Sequence, residues 1–302
     1  MSIFVKDLTK TFGEQIAVNT ISFEIKKGNI VGFLGPNGAG KSTSMKMITG
    51  TLPSDSGQIL VDEIDVSQNP LEVKKHIGYL PEHNPLYLDM YVHEFLRFCG
   101  GIYGLSGSEL KNRVAELVEL CGLTKEQNKQ IGTLSKGYRQ RVGLAQSLVH
   151  DPSVLILDEP TTGLDPNQII EIRNLILSIS KDKTVLLSTH IMQEVQAMCN
   201  RAIIIKEGTI VADQLVNELT DEKEKFTIKV ELESESDLSY WSQHAEVNNL
   251  KMINKVEYLF ETTSDIRKEI FKWAGQNDVE LIGISLEKGN MEEVFRKLTQ
   301  NN

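Results

Sequence analysis

The run Gly35-Pro-Asn-Gly-Ala-Gly-Lys41-Ser42-Thr43 fits the pattern G-x-x-x-x-G-K-[ST] at each fixed position. Gly35, Gly38 and Gly40 let the backbone approach a polyphosphate closely. Lys41 can neutralise β/γ oxygens, and the Ser42 hydroxyl can ligate Mg²⁺. Pro36, Asn37, Ala39 and Thr43 complete the loop. A second group is Val154-Leu-Ile-Leu-Asp158-Glu159, four apolar residues ending in two carboxylates. A buried strand would deliver Asp158 near the Mg²⁺ of a nucleotide and point Glu159 towards the γ-phosphate, where a carboxylate orients or deprotonates water. On its own that run is a strand ending in a charged turn, a reading that leaves the phosphate loop in the same chain unexplained. Ser135, 23 residues before Asp158, reads as the N-cap of a helix starting at Lys136. A capped helix start with small residues and free N–H groups is also an anion site. His190 follows Leu187-Ser-Thr just past a strand; alone, such a histidine is more often structural than catalytic.

Strand, glycine loop and helix must follow one another for the loop to work. Ile30–Leu34 is an apolar run of strand length, and Met45 and Ile48 in the segment after the loop have helical spacing. Further strands are expected at Ile3–Leu8, Ile21–Ile25, Val154–Leu157, Thr184–Ser188 and Arg201–Ile205. Helices are expected at Val92–Tyr103, Ser108–Cys121, Lys136–Val149, Asn167–Ile179 and Met192–Met198, and a hairpin turn at Lys206–Thr209. Strands alternating with helices predict an α/β core with a parallel sheet. The charged run Asp221–Lys225 ends that alternation and reads as a linker, so the domains are set at 1–220 and 221–302. Beyond it, strands are expected at Phe226–Leu232, Val247–Ile253, Val256–Glu261 and Val279–Leu286. Helices are expected at Asp237–His244, Asp265–Gln276 and Met291–Leu298, the last following a βαββαβ, ferredoxin-like order.

The bulk numbers narrow the class. With 40% hydrophobic and 25% charged residues in 302, the chain is an ordinary globular protein of one large and one smaller domain. Its net charge is −10, and from Asp221 onward 11 Lys+Arg face 17 Asp+Glu. Acidic chains bind nucleic acid poorly, so no nucleic-acid partner is expected. The start of the chain lacks the basic-then-apolar layout of a signal peptide, and no apolar run is long enough to span a membrane. A membrane role is therefore expected to come through a partner chain. Cys99, Cys121 and Cys199 are few and widely spaced, as for reduced core thiols in a cytoplasm.

Taken together, Gly35–Thr43, Leu134–Tyr138, Asp158-Glu159, Gly163-Leu164-Asp165 and His190 resemble an ABC transporter ATP-binding subunit, over about the first 215 residues. Gly78–Tyr87 and Leu134–Arg141 are more narrowly similar to the ATP-binding subunit of the gliding-motility-associated exporter, in the group that pairs with ABC-2-type membrane subunits. Ser285–Phe295 resembles the accessory C-terminal domain of that group. The resemblance implies a parallel-sheet ATPase core with an antiparallel β subdomain and a helical subdomain, followed by a small α+β domain. It implies ATP and Mg²⁺ as ligands, a head-to-tail pair of ATP-binding subunits (a homodimer), and a cytoplasmic position on the inner face of the cell membrane through permease subunits.

Residue roles carry over in the same way. Phe12 would stack on adenine, although from its residues alone it is equally a core side chain. Ser135 and Gly137 would contact the γ-phosphate of ATP held by the opposite subunit, and Asp165 would lie between subunits. His190 would contact the γ-phosphate and help position water, and Asn84–Phe98 would receive the membrane subunit's coupling helix. Four positions depart from the family pattern. Lys136 and Tyr138 replace the third and fifth residues of Leu-Ser-Gly-Gly-Gln, Glu82 stands for the Q-loop glutamine where it can approach Mg²⁺, and Phe12 replaces a commoner tyrosine. Two readings from other classes stay open: a soluble ABC ATPase acting on ribosomes or DNA, and a regulator that binds nucleotide without hydrolysing it. A drug or lipid exporter of the same group differs only in cargo.

Overall fold

Residues 2–220 and 226–287, with Phe295, Leu298 and Thr299, are described by the structure, a computed structural model. The chain divides into two units, Met1–Leu215 and Val216–Asn302. The charged run Asp221–Lys225 and most of the expected helix Met291–Leu298 lie outside the described residues.

Strands β1 (Ile3–Phe12) and β2 (Gln15–Ile25) pair antiparallel, and the chain then leaves them through β3 (Ile30–Leu34) for another sheet. It returns with β4 (Ser56–Val61) and the short β5 (Ile64–Asp65), which extend the first sheet in the order β2-β1-β4-β5. The second sheet adds β6 (Ile77–Leu80), β7 (Val154–Asp158), β8 (Thr184–Thr189), β9 (Arg201–Lys206) and β10 (Thr209–Leu215), in the order β10-β9-β3-β8-β7-β6. All its pairs are parallel except the β9–β10 hairpin. That hairpin turns on Glu207 and Gly208, both with positive φ, the geometry a two-residue hairpin prefers. Strands β3, β7 and β8 are buried at every position, which is why Ile30–Leu34 and Val154–Leu157 are apolar without alternation.

One core joins the sheets. Val31, Phe33, Ile156 and Leu186 pack with Ile3, Phe23 and Ile59, and with Met45 and Ile48 of α1 (Lys41–Ile48). The remaining helices of this unit are α2 (Pro70–His76), α3 (Val92–Ile102), α4 (Gly107–Leu120), α5 (Lys136–Ser147), α6 (Pro166–Ile179) and α7 (Met192–Met198). Helix α7 closes on the sheet where Val195 meets Gly32, tightly enough that a Cβ there would stand 3.0 Å from Val195 Cγ1. Arg113 of α4 donates to the Leu148 carbonyl at 2.6 Å, and Arg141 of α5 donates to the Cys121 carbonyl at 3.0 Å and to Glu171 at 2.5 Å. These bonds fix α5 between α4 and α6.

Several elements differ from expectation. Strand β1 runs on to Phe12, and β4, β5, β6 and α2 have no counterpart in the sequence reading. Glycines hid two of them. A Cβ on Gly57 of β4 would stand 2.5 Å from the Asp7 carbonyl, and one on Gly78 of β6 would stand 2.1 Å from that of Ser147. Close packing therefore demands a residue that weakens the strand signal.

The second unit contains α8 (Val216–Thr220), β11 (Phe226–Leu232), α9 (Ser239–Ser242), β12 (Val247–Met252), β13 (Glu257–Thr262), α10 (Arg267–Gln276) and β14 (Leu281–Glu287). Its sheet is antiparallel, in the order β12-β13-β11-β14. Ile228, Val230, Tyr258 and Phe260 of the sheet pack with Trp241 of α9 and Ile270 of α10. The helix expected at Asp237–His244 is one turn only, because Asp237 Oδ1 accepts from the Ser239 N–H and turns the chain first.

Among the described residues no helix is long and apolar enough to cross a membrane. The three cysteines are buried and unpaired, and burial pushes Cys121 and Cys199 up to about 12.

His150, after α5, stacks on Tyr103 at 3.8 Å and donates from Nε2 to the Ile77 carbonyl at 3.1 Å. Burial lowers its imidazole from 6.5 to about 4. The unfolded chain therefore takes up this proton at higher pH than the folded one. The stability from neutral His150 is complete above pH 6.5 and is lost as pH falls through 4. In urea titrations between those values, the midpoint of His150→Gln is expected to fall less than that of the wild type.

Candidate active site

The loop after β3 is shaped by two close approaches. A Cβ on Gly35 would stand 2.3 Å from the Ile205 carbonyl of β9. One on Gly40, at φ 106°, would stand 2.4 Å from the Ala17 carbonyl of β2. Pro36, Asn37 and Gly38 are exposed at the loop's tip, and Ala39 is buried beneath it. Lys41 opens α1 with its side chain folded back under the loop, 6% exposed. Its ammonium donates to the carbonyls of Gly35 at 2.7 Å and Pro36 at 3.3 Å.

Strands β7 and β8 end at the same sheet edge. Their last paired residues are Asp158 and Ser188, and the Ser188 hydroxyl donates to Asp158 Oδ1 at 2.7 Å. Glu159 then takes a left-handed conformation, φ 50°, a strain of a kind that gathers at functional sites. Its carboxylate accepts from Thr162 Oγ1 at 3.1 Å and from His190 Nδ1 at 2.8 Å, and Oε1 lies 3.7 Å from Lys41 Nζ. Lysine, glutamate and histidine from three segments thus form one chain of contacts.

That chain borders a cleft of about 480 Å³. Phe12, Asn37, Gly38, Gly40, Lys41, Ser42, Thr43, Glu82, Glu159 and His190 line it, joined by Gln15, Ala17 and Thr162. Phe12 is 50% exposed with Lys10 Nζ 5.6 Å from its ring centre, so it is no core side chain. Sequence reasoning missed Gln15 and Thr162; the only signal for Thr162 was a hydroxyl three residues after Glu159. The donors for Mg²⁺ are of the right chemistry: Ser42 and Glu82 line the cleft, whereas Asp158 is buried behind it and is not among the lining residues, its Oδ1 bonded to Ser188.

Three expected site residues stand elsewhere. Ser135 caps α5, its Oγ accepting from the Tyr138 N–H at 3.4 Å. It lines a separate cavity of about 60 Å³ with Gly137, Tyr138 and Gln168. Asp165 caps α6, accepting from the Gln168 N–H at 3.0 Å. A further cavity of about 510 Å³ holds two departures from the family pattern, Glu82 and Lys136, with Asn84, Leu88 and Arg139.

A parallel sheet bearing a phosphate loop, a buried strand-end aspartate and a glutamate–histidine pair defines a phosphate-loop nucleoside triphosphatase. Comparison with known proteins narrows this class. Residues 18–162 match the family model for the ABC transporter. The linearmycin resistance ATP-binding protein LnrL of Bacillus subtilis is 34% identical over 97% of this chain and 97% of its own. The bacitracin transport ATP-binding protein BcrA of Bacillus licheniformis is 32% identical over 99% and 98%. The ATP-binding cassette MJ0796, a dimer in a post-hydrolysis state bound to ADP and Pi, superposes with a TM-score of 0.65 and 25% identity, over 71% of this chain and 98% of that one. The chain belongs to the ABC transporter ATP-binding protein family, and it is an ATP hydrolase.

The two glycine contacts give a direct test. Gly40→Ala meets a carbonyl in a backbone region side chains avoid. It is expected to cost roughly 1–3 kcal/mol in urea unfolding and to weaken nucleotide binding at least tenfold. Gly101→Ala in α3 meets open space and is expected to stabilise the chain by about 0.5–1 kcal/mol.

Proposed function

We propose that this chain is the ATP-hydrolysing motor of an ABC-2-type export complex. Two copies work head to tail on the inner face of the cell membrane, held there by permease subunits. The observation that carries this reading is the division of the phosphate-binding parts. The loop, Glu159 and His190 share one cleft, while Ser135 and Gly137 line another cavity of the same chain. A partner's capped helix supplies what each cleft lacks. The dimeric MJ0796 cassette with ADP and Pi supports the pairing.

In this reading Lys41 neutralises the β/γ oxygens, and Phe12 stacks on the adenine. Glu159 orients or deprotonates the attacking water, and His190, bonded to Glu159, contacts the γ-phosphate. Ser42, Asp158 and Glu82 hold the Mg²⁺ that accompanies ATP, which supplies further charge neutralisation. The γ-phosphates bridge the two subunits, so closure follows binding and hydrolysis releases it. Residues 221–302 form an accessory domain that steadies the pair. Matches to LnrL and BcrA over nearly whole chains support the presence of such a domain, since they extend past the ATPase domain.

For cargo, the names of those relatives favour an exported antibiotic or other drug. The resemblance of Gly78–Tyr87 to the gliding-motility-associated subunit is the support for a surface-machine cargo instead. Loss of drug resistance or loss of surface movement on deleting the chain separates the two.

The mechanism is tested on the chain co-purified with its membrane partners. Glu159→Gln is expected to lower ATP turnover by roughly 10²–10⁴-fold while ATP is still bound and the paired state accumulates. Turnover within a few-fold of wild type would remove Glu159 from the chemistry.

A further inference from the structure

We propose that Glu194 is a positioning residue that holds the Glu159 and His190 loops in register. This rests on the reading of those two residues given under the proposed function. Glu194 lies on α7, 2% exposed, and takes no part in the chemistry described so far. A buried carboxylate is costly unless its oxygens are bonded. Here both are. Thr161 Oγ1 donates to Oε1, and Thr189 Oγ1 donates to Oε2 at 2.8 Å.

The identity of the donors is what matters. Thr161 stands two residues after Glu159, and Thr189 immediately precedes His190. Thr189 Oγ1 also accepts from the Ile191 N–H at 3.1 Å, tying the hydroxyl into the turn that carries His190. The β7–β8 ladder ends at Asp158 and Ser188, so it does not pair the segments beyond. One backbone bond, from the Glu159 N–H to the Ser188 carbonyl at 3.0 Å, continues past it. Glu194 adds a clasp behind, bonded to Thr161 in the loop after Glu159 and to Thr189, the last residue of β8, which pairs with Leu34 of β3 on its other side. The clasp is anchored, because the next residue, Val195, packs on Gly32 of the central strand β3. The Glu159–His190 contact of 2.8 Å therefore depends on a carboxylate that meets neither residue in any hydrogen bond.

The clasp acts on orientation, so its loss falls on kcat with little change in KM for ATP. The test uses the full chain with its partners and three variants, Glu194→Gln, Thr161→Val and Thr161→Ser. Glu194→Gln and Thr161→Val are expected to lower kcat roughly 10–100-fold, with KM within about twofold of wild type. Thr161→Ser keeps the hydroxyl and is expected to keep the rate. The Glu194→Gln/Thr161→Val double variant is expected to be no slower than its worse parent. A second readout needs no turnover: the His190 ring signal in ¹⁵N NMR shifts in Thr161→Val and stays in place in Thr161→Ser. An unchanged His190 signal in Thr161→Val, or equal effects of Val and Ser at 161, overturns the proposal. A wild type that binds ATP without turnover instead overturns the functional reading, and the NMR signal still decides the clasp. Should Glu194→Gln fail to fold, Thr161→Val, close in shape to threonine, carries the test alone.

Discussion

A buried ammonium is the constraint on which the active site rests. Lys41 sits beneath its own loop, where a charge survives only among acceptors. The carbonyls of Gly35 and Pro36 provide them, and the Glu159 carboxylate stands at 3.7 Å. For those carbonyls to turn inward, the loop must pass against the ends of β9 and β2 at distances only glycine tolerates. For Glu159 to reach the ammonium, β7 must run parallel to β3 and end at the same edge, which the β3–β8–β7 ladder provides. The left-handed turn at Glu159 then aims its carboxylate at Lys41 and His190 together.

Much of this was legible in the sequence because its signals are local. The phosphate loop, the run Val154–Glu159 and the Ser135 cap are each contiguous, and each reports on a single element. The central strands were readable because burial on both faces leaves them uniformly apolar. Strands β4 and β6 were less so. Gly57 and Gly78 are placed by the backbones they touch, a fact of tertiary packing that no pattern in the strand itself carries. Phe12 shows the same limit: from its residues alone it is equally a core side chain, and only the structure places it at the cleft. Glu194 escaped notice because α7 looks like any short amphipathic helix, and its partners Thr161 and Thr189 lie on other elements.

The departures from the family pattern are not independent of one another. Glu82 adds a negative charge and Lys136 a positive one, and both line a single cavity that Thr162 shares with the nucleotide cleft. Each altered charge thus borders a space that its opposite also lines, together with Arg139. Tyr138, the remaining change in the signature, has Arg141 5.9 Å from its ring centre, and Arg141 is bonded to Glu171 of α6. A helix start altered at two of five positions is held by the same arginine that fixes its later turns.

Lys136 also lies over Gly163, its amine filling the place a side chain there would need. The amine is the far end of a flexible, exposed side chain and can swing away, so what keeps Gly163 bare is its positive φ. Shortening the lysine at position 136 would thus leave position 163 as intolerant as before, because the backbone there excludes side chains whatever the space around them.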